Sequence, residues 1–349
     1  MNIACIVSLV WEVPPAQYGG TERVMATLVR GLESRGHTMT LYAAGGSTAT
    51  KNIRTTQERH LGGGVTLDER LSANLKLAHL LQSEQAEYDV IISFCDEAIL
   101  PITSSFKTPV LHSLHMPFLD YNIPVFREYA DLQYIALSEA QKQPLLDLNY
   151  VATIHNGIVV EDVPFTIDRG KKLVYLGTIH PWKGVHLLRD IALRHGYTIH
   201  VAGQIADASY YQAEIEPYLG SAFEYYGEFN DVEKYAFFTD AAALVYPVQI
   251  RDTCPITILE ASAAGLPVIA LANGAIPELV KTGQNGIVVH DMAQMEAVIS
   301  EARYTAIDPL RCRTYALQHF SAEQMVTAYI DACHKAIRPV SKSAALNAV

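Results

Sequence analysis

The sequence predicts two doubly wound α/β domains that face each other across a cleft. Three observations predict it. The chain has 349 residues, enough for about two domains at roughly 100 to 200 residues each. Short β-rich runs alternate along it with longer amphipathic ones, the pattern of parallel α/β layers. That alternation lapses near residue 164 and starts afresh near 171. Half of the residues are hydrophobic and 18% are charged, which excludes wholesale disorder.

In the first domain, residues 1–163, strands are expected at 3–10, 38–43, 88–94, 109–114 and 133–137. The chain is apolar over 3–11, but no basic residues precede this run, and Glu12, Pro14 and Pro15 interrupt it too early for a membrane span. It reads as a buried strand. A helix is expected over 21–35, where Val24, Leu28 and Leu32 recur at helical spacing, Thr21 is placed to cap the start and Gly36 to end it. These elements make a βαβ unit. Residues 164–170, with Pro164, Asp168 and Gly170 and no periodicity, form the expected linker. The second domain, 171–320, repeats the pattern with strands expected at 173–177, 198–203, 242–246, 267–271 and 287–289. Residues 321–349 are expected to form a helix crossing back to the first domain, and a tail. Gly62, Gly63 and Gly64, and the Ser/Ala-rich tail after Pro339, are the expected mobile segments.

Lys plus Arg number 26 against 37 Asp plus Glu, a net charge of −11 without a dense basic run, so nucleic acid is not an expected partner. An anionic membrane is disfavoured for the same reason. Cys5, Cys95, Cys254, Cys312 and Cys333 are odd in number, scattered and without a CxxC pair. This argues against a disulfide framework or a zinc clip and fits a reducing cytoplasm. No stretch approaches the roughly 18 apolar residues of a spanning helix, so no transmembrane segment is expected.

Doubly wound sheets bind ligands beyond the carboxyl ends of their strands, which makes the residues just past those ends the candidates. In Tyr18-Gly19-Gly20-Thr21, paired glycines let a ligand approach the backbone and the following helix start can receive an anion. Taken alone, the segment reads equally as an ordinary strand-to-helix turn. The loop 177–184 contains Gly177, Thr178 and Lys183, the last at an expected helix start. Lys183 there either neutralises a diphosphate or is solvated at a loop tip. In Asp252-Thr253-Cys254-Pro255-Ile256, Pro255 suits the first helical turn, so the loop amides face an incoming anion. Asp252 and Glu260 lie on either side of that helix start and can contact different parts of one extended ligand. Alternatively, Glu260 caps a neighbouring element and Asp252 is solvated. His112 and His115 form either a structural pair or a metal fragment. No third ligand, HExxH or Asp-x-Asp accompanies them, so no metal is expected. Trp182, Tyr210, Tyr211, Tyr225 and Tyr226 line a sugar or base pocket or belong to the core and rim.

Taken in order, Tyr18-Gly19-Gly20, His115, Ser138-Glu139-Ala140, His155-Asn156-Gly157, the loop 177–184, the stretch 252–267, Asn273-Gly274 and Pro277-Glu278 resemble the retaining glycosyltransferases of family 4. The resemblance runs through most of the chain and implies the GT-B architecture, two Rossmann-like domains with an acceptor side in the first and a nucleotide-sugar side in the second. It implies that Glu260 binds the ribose hydroxyls of a nucleotide diphosphate sugar, Asp252 meets the donor sugar, Lys183 holds the diphosphate and His115 approaches the donor sugar. Gly19 and Gly20 would lie against the diphosphate, and the backbone of Thr253, Cys254, Pro255 and Ile256 would meet sugar and phosphates. Thr178 stands where the family has arginine and Asp252 where it has glutamate. Arg251 is one candidate replacement for the missing guanidinium.

The implied protein is a cytoplasmic, metal-independent hexosyltransferase of carbohydrate biosynthesis with no cofactor. Its partners are a nucleotide sugar and a hydroxyl-bearing acceptor, whose proton passes to the leaving phosphate. Two other readings stand beside it: a nucleotide-sugar-binding module with little turnover, and another GT-B enzyme such as a sugar epimerase. Acceptor selection is expected in the loops 48–71 and 117–129.

Overall fold

Runs dominated by Val, Ile, Leu and Ala form strands buried on both faces, as parallel sheets covered by helices require. The computed structural model describes residues 1–17 and 19–338, so the expectations for Tyr18 and for the tail after Pro339 lie outside the described residues. In the first domain the strands are β1 (Asn2–Val7), β2 (Thr38–Tyr42), β3 (Ile53–Arg54), β4 (Val90–Phe94), β5 (Val110–Ser113), β6 (Gln133–Ala136) and β7 (Tyr150–Thr153). All pair in parallel, in the order β3-β2-β1-β4-β5-β6-β7. The chain winds outward from β1 to one edge and then from β4 to the other, which opens a crevice between β1 and β4. Helix α1 (Gly20–Ser34) leaves the end of β1 and buries Val24, Leu28 and Leu32 against one face of the sheet. Helix α2 (Leu67–Glu84) covers the other face through Leu77, Ala78 and Leu81, and Thr66 with Glu69 closes a capping box at its start.

The second domain repeats the plan with β8 (Lys172–Leu176), β9 (Ile199–Ala202), β10 (Phe223–Tyr225), β11 (Ala241–Tyr246), β12 (Val268–Leu271) and β13 (Gly286–Val289). Their order is β10-β9-β8-β11-β12-β13, with the crevice between β8 and β11. Two helices bear on the site: α3 (Asp231–Thr239), opened by an Asn230/Glu233 capping box, and α4 (Ile256–Ala263). The last helix, α5 (Ala322–Ile337), returns to the first domain, where Met325, Val326, Tyr329 and Cys333 join the core beneath α1. Gly31 permits that close crossing, since a Cβ there would lie 2.3 Å from Val326 Cγ2. Among the described residues no helix is long and apolar enough to cross a membrane.

Several local expectations are corrected. Strand β1 ends at Val7 rather than at residue 10, because Leu9 O and Val10 O turn to accept the amides of Leu61 and Gly62. The same bonds pin the glycine segment expected to be mobile, and a Cβ on Gly63 would come within 2.3 Å of Gln204 in the second domain. Helix α1 begins at Gly20, with Gly19 rather than Thr21 at its N-cap and no side-chain cap. The loops 48–71 and 117–129 contain β3, the start of α2 and a short helix, Ile123–Glu128. Strands β3, β7 and β10 went unread because each is a short edge strand of two to four residues, too brief for a period-two pattern.

Candidate active site

The two crevices face each other, and the starts of α1 and α4 meet between them. A Cβ on Gly20 would lie 3.7 Å from Ile256 Cδ1, so the glycine keeps the two helix starts close. Gly19 has φ +139, and a Cβ there would come within 2.8 Å of Pro15, so only glycine fits. Two cavities adjoin at this point, sharing Gly20, Gly177, Ile256 and Thr257 in their walls. One is lined further by His115, Thr178, Lys183, Tyr246, Asp252 and Thr253. The other is lined by Gln17, Arg23, Gln204, Phe229, Lys234 and Glu260.

Lys183 is not at a helix start. It ends a 3-10 turn, Pro181–Lys183, and an α-helix begins only at Arg189. What places it is the loop behind: Gln249 N and Ile250 N donate to Trp182 O at 2.7 and 3.2 Å, and Gly184 at φ +73 packs against Pro247 O. The loops after β8 and β11 are thereby fastened together. Lys183 Nζ reaches Asp252 Oδ2 at 2.5 Å, and the Tyr246 hydroxyl donates to the same oxygen at 2.9 Å. Asp252 Oδ1 accepts the Thr253 amide at 3.0 Å. An ammonium and a carboxylate thus stand paired in the cavity wall, and an incoming phosphate can take the lysine.

His115 comes from the first domain. Its ring lies on Phe94 with centroids 3.9 Å apart, Nε2 is 3.2 Å from Ser113 Oγ, and its carbonyl accepts the Thr253 hydroxyl across the cleft at 3.3 Å. Burial pushes the imidazole down to about 3, so the ring is neutral. The His115 and Met116 amides donate to Asp96 Oδ1 at 2.8 and 3.1 Å. Burial, with Glu97 adding to it, pushes the Asp96 carboxyl up to about 7, and burial does the same to Glu22 in the first turn of α1.

Glu260 is 4% exposed on the inner face of α4. Lys234 of α3 donates to its Oε1 at 2.6 Å and also contacts Asp231 Oδ1 at 2.8 Å. Arg23 of α1 binds both Asp231 oxygens at 2.7 Å. Pro255 is the N-cap of α4, one place earlier than expected, because its ψ of 118° is extended and the helix begins at Ile256. The interdomain segment fixes the preceding residues, with Asn156 Nδ2 donating to Cys254 O at 2.7 Å and Asn156 N to Cys254 Sγ at 3.3 Å.

The structure thus brings Gly19, Gly20, His115, Thr178, Lys183, Asp252, Thr253, Cys254, Pro255, Ile256 and Glu260 to one cleft. Arg251 lines neither of these cavities; it is exposed and lines a third depression with Pro117, Phe118 and Gly274, which shares Asp252 with the first. His112 is a core residue whose Nε2 lies 3.3 Å from Thr103 Oγ1. Tyr210 bonds His186 and Tyr225 bonds Gly203 O, so both serve the fold. Among the described residues no three His, Cys, Asp or Glu side chains gather as a metal-ligating set. Sequence reasoning missed Arg23, Phe229, Lys234 and Tyr246. The i,i+3 spacing of Asp231 and Lys234 was the one available signal. It also missed the use of Glu278, whose carboxylate accepts the amides of Glu139 and Ala140 at 2.9 and 2.7 Å and meets His155 Nε2 at 3.3 Å. Burial pushes that carboxyl up, but His155 and the two amides outweigh it and hold it below its ordinary range. Three sequence pieces without assigned chemistry therefore form one clamp between the domains.

Comparison with known proteins agrees with this layout. Residues 18–162 match Glycosyltransferase Family 4, and residues 170–302 match the glycosyl transferases group 1. No curated protein matches the chain. Among solved structures it is similar to sucrose-phosphate synthase from Thermosynechococcus elongatus, with TM-score 0.79 at 15% identity over 96% of this chain and 98% of that one. It is similar to HepE from Anabaena in complex with UDP-glucose, with TM-score 0.75 at 16% identity over 96% and 100% of the two chains. A third is AviGT4, a glycosyltransferase involved in avilamycin A biosynthesis, with TM-score 0.72 at 18% identity over 96% and 98%. These likenesses show the fold. Because the two family matches adjoin at the interdomain segment and between them carry both walls of the cleft, the chain is a glycosyltransferase that pairs a family 4 domain with a group 1 domain in the GT-B architecture.

Proposed function

We propose that the protein is a retaining, metal-independent hexosyltransferase that moves a sugar from a nucleotide diphosphate donor to an acceptor hydroxyl. The observation that carries this reading is the single cleft with the Lys183–Asp252 pair at one end and buried Glu260 at the other, separated by the adjoining starts of α1 and α4. That order suits sugar, diphosphate and ribose in turn. The solved complexes of HepE with UDP-glucose, with UDP, and with UDP and glucose support a donor of this class.

In this reading Glu260 accepts the ribose hydroxyls, and the diphosphate lies over Gly19 and Gly20 beside the amide of Ile256. Lys183 exchanges Asp252 for the outer phosphate, and Asp252 turns to the hydroxyls of the sugar. The backbone of Thr253, Cys254 and Pro255 borders the sugar, and neutral His115 approaches it from the first domain. The bond from the anomeric carbon to the diphosphate breaks with oxocarbenium character, and negative charge collects on the leaving group. A fixed ammonium and a helix start lower that barrier. The acceptor oxygen bonds the anomeric carbon on the same face while its proton passes to the leaving phosphate, so the configuration is kept. Thr178 supplies no charge to this site. No cofactor enters the scheme. Five buried cysteines, whose thiols burial pushes up, suit a reducing cytoplasm.

The test is a panel of nucleotide sugars, UDP-glucose among them, assayed with sugar and polyol acceptors in excess EDTA, with the product anomer read by proton NMR. An α-linked donor should give an α-linked product without added metal. A β-linked product would overturn retention, and turnover restored only by manganese or magnesium would overturn metal independence. Tight nucleotide binding without transfer to any acceptor would favour the binding module.

A further inference from the structure

We propose that Arg23, Asp231 and Lys234 form a positioning chain that fixes Glu260 for the donor ribose, so that the ribose subsite is complete only when both domains contribute. The proposal rests on the ribose role given to Glu260. A carboxylate that is 4% exposed needs a partner in place of the water it has lost. Lys234, itself 7% exposed, supplies one at 2.6 Å, and its ammonium also sits 4.8 Å from the Tyr235 ring centroid. The bond uses only Oε1 of Glu260. The side chain lines the cavity, which leaves Oε2 for a ligand donor.

Lys234 is fixed in turn. Asp231 holds it at 2.8 Å, and both oxygens of Asp231 are taken by one guanidinium nitrogen of Arg23, whose other nitrogen donates to Gln17 O at 2.5 Å. The charges alternate along the chain, so each member is attracted on every side. Arg23 belongs to the first turn of α1, just after the glycine pair, whereas the other three belong to the second domain. The carboxylate assigned to the ribose is therefore held, through two intermediates, by the opposite wall of the cleft.

A plain interdomain strut would use the same bonds without reference to the ribose, and ligand discrimination separates the two. The experiment measures calorimetric affinities of the full chain for uridine, adenosine and guanosine diphosphates and for their 2′,3′-dideoxy counterparts. The variants are Glu260→Gln, Asp231→Asn, Arg23→Gln and Arg23→Lys. In the wild type the ribose form should bind about 10- to 100-fold more tightly, the worth of a hydrogen bond to a charged group. Arg23→Gln and Asp231→Asn should lose most of that preference, as Glu260→Gln does, while dideoxy affinity stays within about twofold, less than 0.5 kcal/mol. Arg23→Lys should recover part of it. Arg23 and Asp231 variants that keep the preference while Glu260→Gln loses it would overturn the chain, as would an equal loss for both ligand forms. A Glu260→Gln variant that keeps the preference would overturn the ribose assignment beneath it.

Discussion

Lys183 is paired with the carboxylate of Asp252, and the transfer we propose asks it to exchange that partner for a phosphate. The 2.5 Å contact to Asp252 makes the exchange nearly neutral in charge when donor binds, and the lysine gains most as the diphosphate leaves. Lys183→Ala is therefore expected to lower kcat by about 10- to 100-fold with a smaller rise in donor KM. Steady-state kinetics at varied donor checks this, and a raised KM with kcat unchanged would make Lys183 a ground-state anchor. Residue type and place near strand ends singled out Asp252, Lys183 and Glu260 but left each with a structural alternative, and only the family resemblance implied their roles. Arg23 and Lys234 were not legible, since their meaning lies in pairings such as Arg23 with Asp231 across 208 positions. Arg251 has the charge sought but lines neither of the two adjoining cavities.

Among the elements, α1 and α4 carry the site at their starts, and their placement is set from behind. Helix α1 is held against α5 at Gly31, where the short approach to Val326 leaves no room for a methyl group. Gly31→Ala gains about 1 kcal/mol of helix propensity but forces a β-branched neighbour to move, at about 1 to 3 kcal/mol. The net expectation is a destabilised first domain, read by urea unfolding, with a smaller penalty in a Val326→Ala background. A neutral or stabilising Gly31→Ala would mean that α5 is not seated as described. Long elements were readable because α1 and α5 carry clear apolar faces and the central strands are continuous apolar runs. Turn details were not, as Lys183 shows: a lysine before glycine fits a helix start and a 3-10 turn equally well.

Across the whole molecule, contacts of different kinds set the angle between the domains. Glu278 clamps the amides of Glu139 and Ala140, Asn156 holds the Cys254 loop, Arg23 spans to Asp231, and α5 carries the end of the chain back beneath α1. With two parallel sheets facing at their crevices, these ties decide whether the ribose and phosphate ends of the cleft form one site. The transfer we propose requires that they do. The most direct measurement is the crystal structure of the chain with its tightest-binding nucleoside diphosphate. Ribose hydroxyls are expected on Glu260, the outer phosphate on Lys183 in place of Asp252, and the diphosphate between Gly20 and Ile256. A nucleotide lodged elsewhere, or bound with its ribose away from Glu260 and with Lys183 still on Asp252, would contradict it.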